Sequence, residues 1–145
     1  MTGLKEYRLY WEGLAARAGD ISETLPLTVD DDMARRIMRL GRDSVSLFFL
    51  PPSSRSEARD ADSWSESDDC VVFVMGRFDP QRRTSWDVLE QTQPVMERLK
   101  ELMLADVAAG CCVMRLDVRS LSTMPETKFY AGFAGWSLGF RIMGT

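Results

Sequence analysis

Apolar and polar residues alternate most cleanly near the end of the chain. Met114, Leu116 and Val118 share one parity there, and Arg115, Asp117 and Arg119 the other. Further on, Trp136, Leu138, Phe140 and Ile142 alternate with Gly135, Ser137, Gly139 and Arg141. Period-two alternation sends one parity into a core and the other toward water or a partner, so Cys111–Met143 is predicted to form two facing β-strands. Ser122–Lys128, which includes Pro125, is predicted to connect them and is longer than a two-residue hairpin turn. Glycine inside a strand marks a bulge, a bend or a close backbone approach. Gly132, Gly135 and Gly139 all fall in the last strand region, and Gly135 and Gly139 leave one of its faces nearly bare.

A period near 3.6 is found twice. Leu4, Tyr7, Trp11, Leu14 and Ala18 make one stripe, which predicts an amphipathic helix over 3–18 stopped by Gly19, with Tyr10 off the stripe. Leu89, Met96, Leu99, Met103 and Val107 make a second stripe over Ser85–Ala109. Thr84 followed by Asp87 reads as a capping box at its start. Pro94 lies inside it and is predicted to kink or split the helix near Gln91–Gln93. Between these helices, Asp30-Asp31-Asp32 is read as the acidic cap of a short helix, Met33–Leu40, with Arg35, Arg36 and Arg39 toward its far end.

Two apolar runs read as further strands. Ser44–Leu50 is closed by Pro51-Pro52, which cannot continue a ladder. Cys70–Gly76 is the most apolar run and is predicted to be the central strand of the sheet. The intervening Ser53–Asp69 is serine-rich and acidic, and Trp64 is its one large apolar residue. That composition predicts a long mobile loop, with Trp64 as a partner anchor or a residue folded back onto the body. Asp60-x-Asp62 resembles the start of a calcium loop. The pattern then fails at Trp64, Ser65 and Val71, where an oxygen ligand, a glycine and a glutamate belong.

Composition narrows the functional classes. At 145 residues the chain is the size of one domain, 1–145, with little room for a second core. No apolar run reaches the roughly 18 residues of a membrane span. The start of the chain has no basic region leading into an apolar stretch. No membrane association and a cytoplasmic location are expected. The formal net charge is −4. Ser53–Asp69 holds six acids and two arginines, a balance of −4, so the remainder is neutral and lacks a general basic footprint for nucleic acid. Arg77, Arg82 and Arg83 beside Phe78 make a local basic cluster, which is not enough to expect a nucleic-acid partner. The three cysteines, Cys70, Cys111 and Cys112, have neither metal-ligand nor disulfide-framework spacing and read as small apolar residues. There is no histidine. This removes the commonest general base, every nucleophile–histidine arrangement and the usual zinc and iron ligand sets. No cofactor, metal or catalytic residue is expected.

The order of elements carries a resemblance. An N-terminal amphipathic helix with a tryptophan precedes an apolar strand that runs into Gly76-Arg77-Phe78-Asp79. A long helix follows, then two final strands, the last carrying Gly135-Trp136-Ser137-Leu138-Gly139-Phe140. This arrangement resembles small prophage-encoded proteins of Bacteroidetes and, more broadly, tail-terminator and head–tail joining subunits of phages. It extends over residues 3–143 in element order, and the acidic segment 53–69 is a departure from it. The resemblance implies a compact α+β subunit that forms rings, and it assigns no functional residues.

The resulting expectation is a single α+β domain. A roughly four-stranded, mostly antiparallel or mixed sheet would carry the long helix and the N-terminal helix on one face. If the long helix forms a parallel crossover, the connection is right-handed. The expected function is that of a non-catalytic structural or interaction subunit, a homo-oligomer with protein partners, located in the cytoplasm or in a virion. Its candidate interaction surface comprises Trp64, Arg115, Arg119, Gly135, Ser137, Gly139 and Arg141. The alternative is a small-ligand-binding or carboxylate-dependent catalytic domain using Asp79 and Asp117 with Arg115 or Arg119. Asp117 between two arginines also reads simply as a charge-alternating solvent face.

Overall fold

A computed structural model describes residues 2–28, 31–41, 43–110, 115–127 and 132–144; for 31–34, 57–59, 63 and 64 it describes the backbone only. The chain is α+β and runs α1 (Leu4–Ala18), β1 (Glu23–Pro26), α2 (Asp31–Met38), β2 (Val45–Phe49), β3 (Ser53–Asp60), β4 (Ser63–Arg77), α3 (Ser85–Ala108), β5 (Leu116–Glu126) and β6 (Phe133–Met143). One sheet of six strands holds them in the order β1-β2-β4-β6-β5, with β3 also pairing with β4. The count exceeds the four expected from the apolar runs, because β1 and β3 are too short or too polar to show as such runs. Among the described residues, β1–β2 is the one parallel pair and the other pairs are antiparallel. The Cys70–Gly76 segment is central, as its apolar run requires.

The largest departure from expectation is at 53–69. This segment is not a loop. Pro51-Pro52 interrupts the ladder, but the chain then resumes along the same edge of β4. Phe49 pairs with Val72, and Ser53 with Asp69. β3 and the first half of β4 form the far end of a long hairpin, turned at Ala61-Asp62 with the Asp62 amide donating to the Asp60 carboxylate. A polar segment can be a strand when the ladder satisfies its backbone and β6 pairs with its root, as at Ser67–Met143 and Asp68–Ile142.

α3 joins β4 to β5, and β6 inserts antiparallel between those two strands. β4 and β5 therefore run in the same direction with a helix between them, a crossover split by one strand. The first face of the sheet is buried under α1 and α3. Val45, Leu47, Phe49, Cys70, Val72, Val74, Leu138, Phe140 and Ile142 meet Tyr7, Trp11, Leu14, Val95, Met96, Leu99 and Met103 there. Trp11 is fully buried between Tyr7 and Phe140, with ring centroids at 6.0 and 5.8 Å. Burying each such side chain is worth about 1.5–3 kcal/mol before entropy is counted, which makes the amphipathic stripe of α1 the reason the helix docks. Leu4, at the end of the predicted stripe, is exposed, and Ala15 takes a buried place instead. Gly19 ends α1 in the left-handed conformation, with φ of 83°.

α3 starts with the predicted capping box between Thr84 and Asp87 and continues through Pro94 as one helix. Two carbonyls upstream of the proline accept side-chain donors. The Thr92 hydroxyl donates to Val88 O at 2.7 Å, and the Trp136 indole donates to Leu89 O at 3.1 Å. The second donor crosses from β6, so Trp136 ties the sheet to the helix near the proline.

The opposite face of the sheet is covered only in part. Ile37 at the end of α2 and Leu40 just beyond it pack with Leu25, Leu27, Phe48, Met75 and Phe133. The helix ends at Met38, before the predicted Leu40, and tighter turns at Arg39 and Leu40 separate it from Gly41; the Asp30–Asp32 cap lies outside the described side chains. The predicted connection Ser122–Lys128 is mostly strand, since β5 continues to Glu126. Cys111–Met114, the start of the first predicted strand, lies outside the described residues.

Candidate functional site

Two places on the molecule bring polar side chains together beyond what the helix core needs. The first is the uncovered half of the second sheet face, the surface that sequence alternation singled out. Cross-strand pairing places Asp69 of β4 opposite Arg141 of β6, and Asp117 of β5 opposite Arg141 on its other side. Arg141 Nε lies 3.3 Å from Asp69 Oδ1, and Arg55 Nη2 of β3 lies 3.3 Å from Asp69 Oδ2. The result is a ladder of alternating charge, Arg55, Asp69, Arg141, Asp117, across four strands. Val71 and Phe73 of β4 share the parity of Asp69 and are half-buried, while Met124 of β5 is 57% exposed.

The candidate residues separate on this surface. Ser137, Gly139 and Arg141 are brought together along β6. Ser137 is buried, and its hydroxyl donates to Glu126 Oε1 at 2.9 Å. Gly139 is open: a Cβ there would meet nothing nearer than 3.9 Å. Gly135 does not belong to the surface. It is buried, and a Cβ there would come within 2.0 Å of Val74 O and 2.9 Å of the Met75 Cα. Its role is close backbone approach to β4.

Arg115 is exposed just ahead of β5, where its carbonyl accepts from the Met143 amide at 2.7 Å. Arg119 is exposed within a bulge. Asp117 pairs with Arg141 and Ser122 with Gly139, so the four residues 118–121 stand opposite one. The Ser120 hydroxyl spans this break, donating to Asp117 O at 2.6 Å and accepting from the Arg141 amide at 2.7 Å. Alternation is thus broken. Val118, predicted to face inward, is 53% exposed, and Leu121 packs toward the helices instead. Trp64 sits on β4 opposite Ala58 by backbone register, and its side chain lies outside the described ones. Sequence reasoning missed Arg55, Asp69, Val71, Phe73 and Met124. Their parity is legible within each strand, but neighbourhood across strands depends on register.

The second place is a cleft of about 310 Å³ at the end of β4, lined by Asp43, Arg77, Phe78, Asp79, Pro80, Arg82, Arg83 and Gly132. Here the basic cluster of the sequence is assembled. Asp79 and Asp117, proposed from sequence as joint acids, are not. Arg77, two residues before Asp79, pairs with Phe133 at the start of β6, whereas Asp117 pairs with Arg141 near its end. Each carboxylate also holds a local amide, of Gln81 and of Arg119 respectively.

Elsewhere, buried carboxylates hold elements together. Burial alone would raise the Asp68 carboxyl. Hydrogen bonds from the Ser54 hydroxyl, and from the Thr2 hydroxyl and amide, outweigh burial and hold it below the usual range. Asp106 of α3 accepts from Arg17 at 2.8 Å and from the Tyr10 hydroxyl at 3.1 Å, and the Arg17 guanidinium is the main reason its carboxyl lies low. Tyr10, off the stripe in sequence, thus serves the α1–α3 contact.

Among the described residues no group of three or more cysteine, aspartate or glutamate side chains is arranged to hold a metal ion, and no helix is long and apolar enough to cross a membrane. No protein-family model matches the chain, and no curated protein matches it in sequence.

Proposed function

We propose that this protein is a non-catalytic interaction subunit that self-associates through the uncovered half of its sheet. The observation that carries this reading is the ladder Arg55, Asp69, Arg141, Asp117, ordered β3, β4, β6, β5. A second copy turned by 180° about an axis parallel to the strands presents the ladder in reverse order, so every cation faces an anion. Self-complementarity of this kind is what a two-fold interface demands, and aligned sheet-on-sheet packing is a common geometry for it. Val71, Phe73 and Met124 beside the ladder supply apolar area, and Gly139 lets a partner approach the backbone. Placement of such a subunit in a phage-derived tail or head–tail joining assembly is supported by the resemblance in element order alone.

Sedimentation velocity across a wide concentration range tests the reading. The expected result is reversible dimerisation that weakens with salt and is lost in Met124→Glu, a change at an exposed position. A strictly monomeric profile at all concentrations overturns it. So does a dimer indifferent to Met124→Glu.

A second reading, small-ligand binding, is favoured by a separate observation, the arginine-lined cleft at the end of β4.

A further inference from the structure

The cleft lies where β4 leaves the sheet, and its walls are built rather than incidental. The Phe78 amide donates to Gly132 O at 2.6 Å, and Gly132 adopts the left-handed conformation with φ of 82°. Asp79 organises the floor. Its Oδ1 accepts from the Gln81 amide at 3.0 Å, and its carbonyl accepts from the amides of Arg82 and Arg83 at 2.8 and 2.9 Å. Arg82 and Arg83 therefore hang from a turn whose backbone is tied at several points, and Arg77 stands at the end of β4 beside it.

Two of those groups are also held in place. Arg77 Nη1 donates to Leu40 O at 2.9 Å and to Met38 O at 3.2 Å, closing the end of α2. Arg83 donates to Arg77 O at 2.6 Å and to Gln91 Oε1 at 2.5 Å. For Arg77 both acceptors are backbone carbonyls, which orient the group without cancelling its charge. Each guanidinium has five donor N–H groups, and the bonds that Arg77 donates engage one nitrogen, Nη1. Among the described residues no carboxylate oxygen lies within 4 Å of the guanidinium of Arg77 or Arg82. Arg82 is exposed at the rim.

Charge and shape then select the ligand. Three arginines against Asp43 and Asp79 leave a net of +1 in the cleft, in a chain whose net charge is −4. Planar guanidinium forks match phosphate oxygens in pairs, and pre-oriented ones lose less freedom on binding than free ones. Phe78 and Pro80 provide an apolar wall for an organic portion. The volume stands at the lower end of small-molecule pockets, roughly 300–1,000 Å³, too small for more than a metabolite. The acidic hairpin and overall pI of 4.9 oppose a long polyanion.

The geometry points to a binding site for the phosphate group of a small phosphorylated molecule, held by Arg77 and Arg82 with Phe78 against its organic part. This site is independent of the sheet face and does not require self-association.

Calorimetric titration and thermal unfolding of the full chain test it, with inorganic phosphate, adenosine monophosphate and a 20-nucleotide single-stranded DNA as probes at matched ionic strength. The expected result is saturable binding of the monophosphate, tighter than inorganic phosphate, with a midpoint that rises with probe concentration. Arg82→Ala, a change at an exposed side chain, weakens that binding at least tenfold, while Arg8→Ala on α1 leaves it unchanged. Binding of inorganic phosphate as tight as that of the monophosphate removes Phe78 from the site and overturns the organic part of the assignment. No saturable response to either phosphate at millimolar concentration overturns it, as does a response equal in Arg82→Ala. Tighter binding of the DNA than of the monophosphate overturns it in favour of a polyanion groove.

Discussion

Gly135 and Gly139 have the same parity on the same strand, and the structure assigns them opposite sensitivities. In Gly135→Ala the new methyl would be placed 2.0 Å from Val74 O, with Met75 Cα and Sδ both at 2.9 Å. Two of these three atoms are backbone, so relief requires β4 and β6 to separate at the Met75–Gly135 pair. Those strands form the centre of the sheet, where Met75 and Phe133 are fully packed. Overpacking of a tight core costs about 1–3 kcal/mol and sometimes more; displacement of a central backbone places this change at about 3 kcal/mol. In Gly139→Ala the methyl meets nothing closer than Ser122 O at 3.9 Å. Reduced freedom of the unfolded chain then makes that change neutral or stabilising by about 0.4–1 kcal/mol. Urea unfolding of the two variants beside the parent, at a concentration where all are monomeric, measures the difference directly. At about 3 °C per kcal/mol for a domain of this size, Gly135→Ala should also melt roughly 9 °C lower. Equal stabilities within about 0.5 kcal/mol would refute the close approach of β4 to β6, and with it the division of the glycine face into a buried and an open part.

Among the described residues no well-formed hydrogen bond reaches the buried Tyr7 hydroxyl or the buried Trp11 indole N–H. Tyr7→Phe should therefore be neutral or stabilising by up to about 1 kcal/mol in urea unfolding, and a loss of more than that would reveal a partner for the hydroxyl. Asp106→Asn should cost about 1–2 kcal/mol at pH 7, a range lowered because the Arg17 side chain is 50% exposed while that of Asp106 is only 11%. The Asp106 carboxyl lies lower in the folded state than in the unfolded one. Its contribution is therefore present above the unfolded value of about 4 and is lost as pH falls through the folded value. The gap between parent and variant should close in acid unfolding series below pH 4, and a gap constant from pH 7 to pH 2 would contradict the pairing. Burial, helped by the charges of Asp68 and Asp69, pushes the Cys70 thiol up to about 12. Alkylation of the native protein at pH 8, read by peptide mass, should leave Cys70 unmodified until unfolding, and rapid native labelling would be inconsistent with its place under α1.

Periodicity alone determined α1, α3, the central position of Cys70–Gly76 and the two faces of β6, because a helix or strand with one buried side imprints its period on the residues. Capping at Thr84 and Asp87, and the stop at Gly19, are equally local. The strand at 53–60 was invisible for the opposite reason. Its side chains are polar on both parities, and what makes it a strand is the ladder to β4, a property of two segments rather than one. The bulge at 118–121 was hidden likewise, since an interrupted alternation is recognised only against the partner strand that keeps its own. Candidate surface residues divided along the same line. Parity within β6 placed Ser137, Gly139 and Arg141 on one face. Only register could separate Gly135 from them, set Asp69 between Arg55 and Arg141, and gather Arg77, Arg82 and Arg83 with Gly132 around one cleft. Local periodicity decides which way a residue faces, whereas pairing between distant strands decides what it faces.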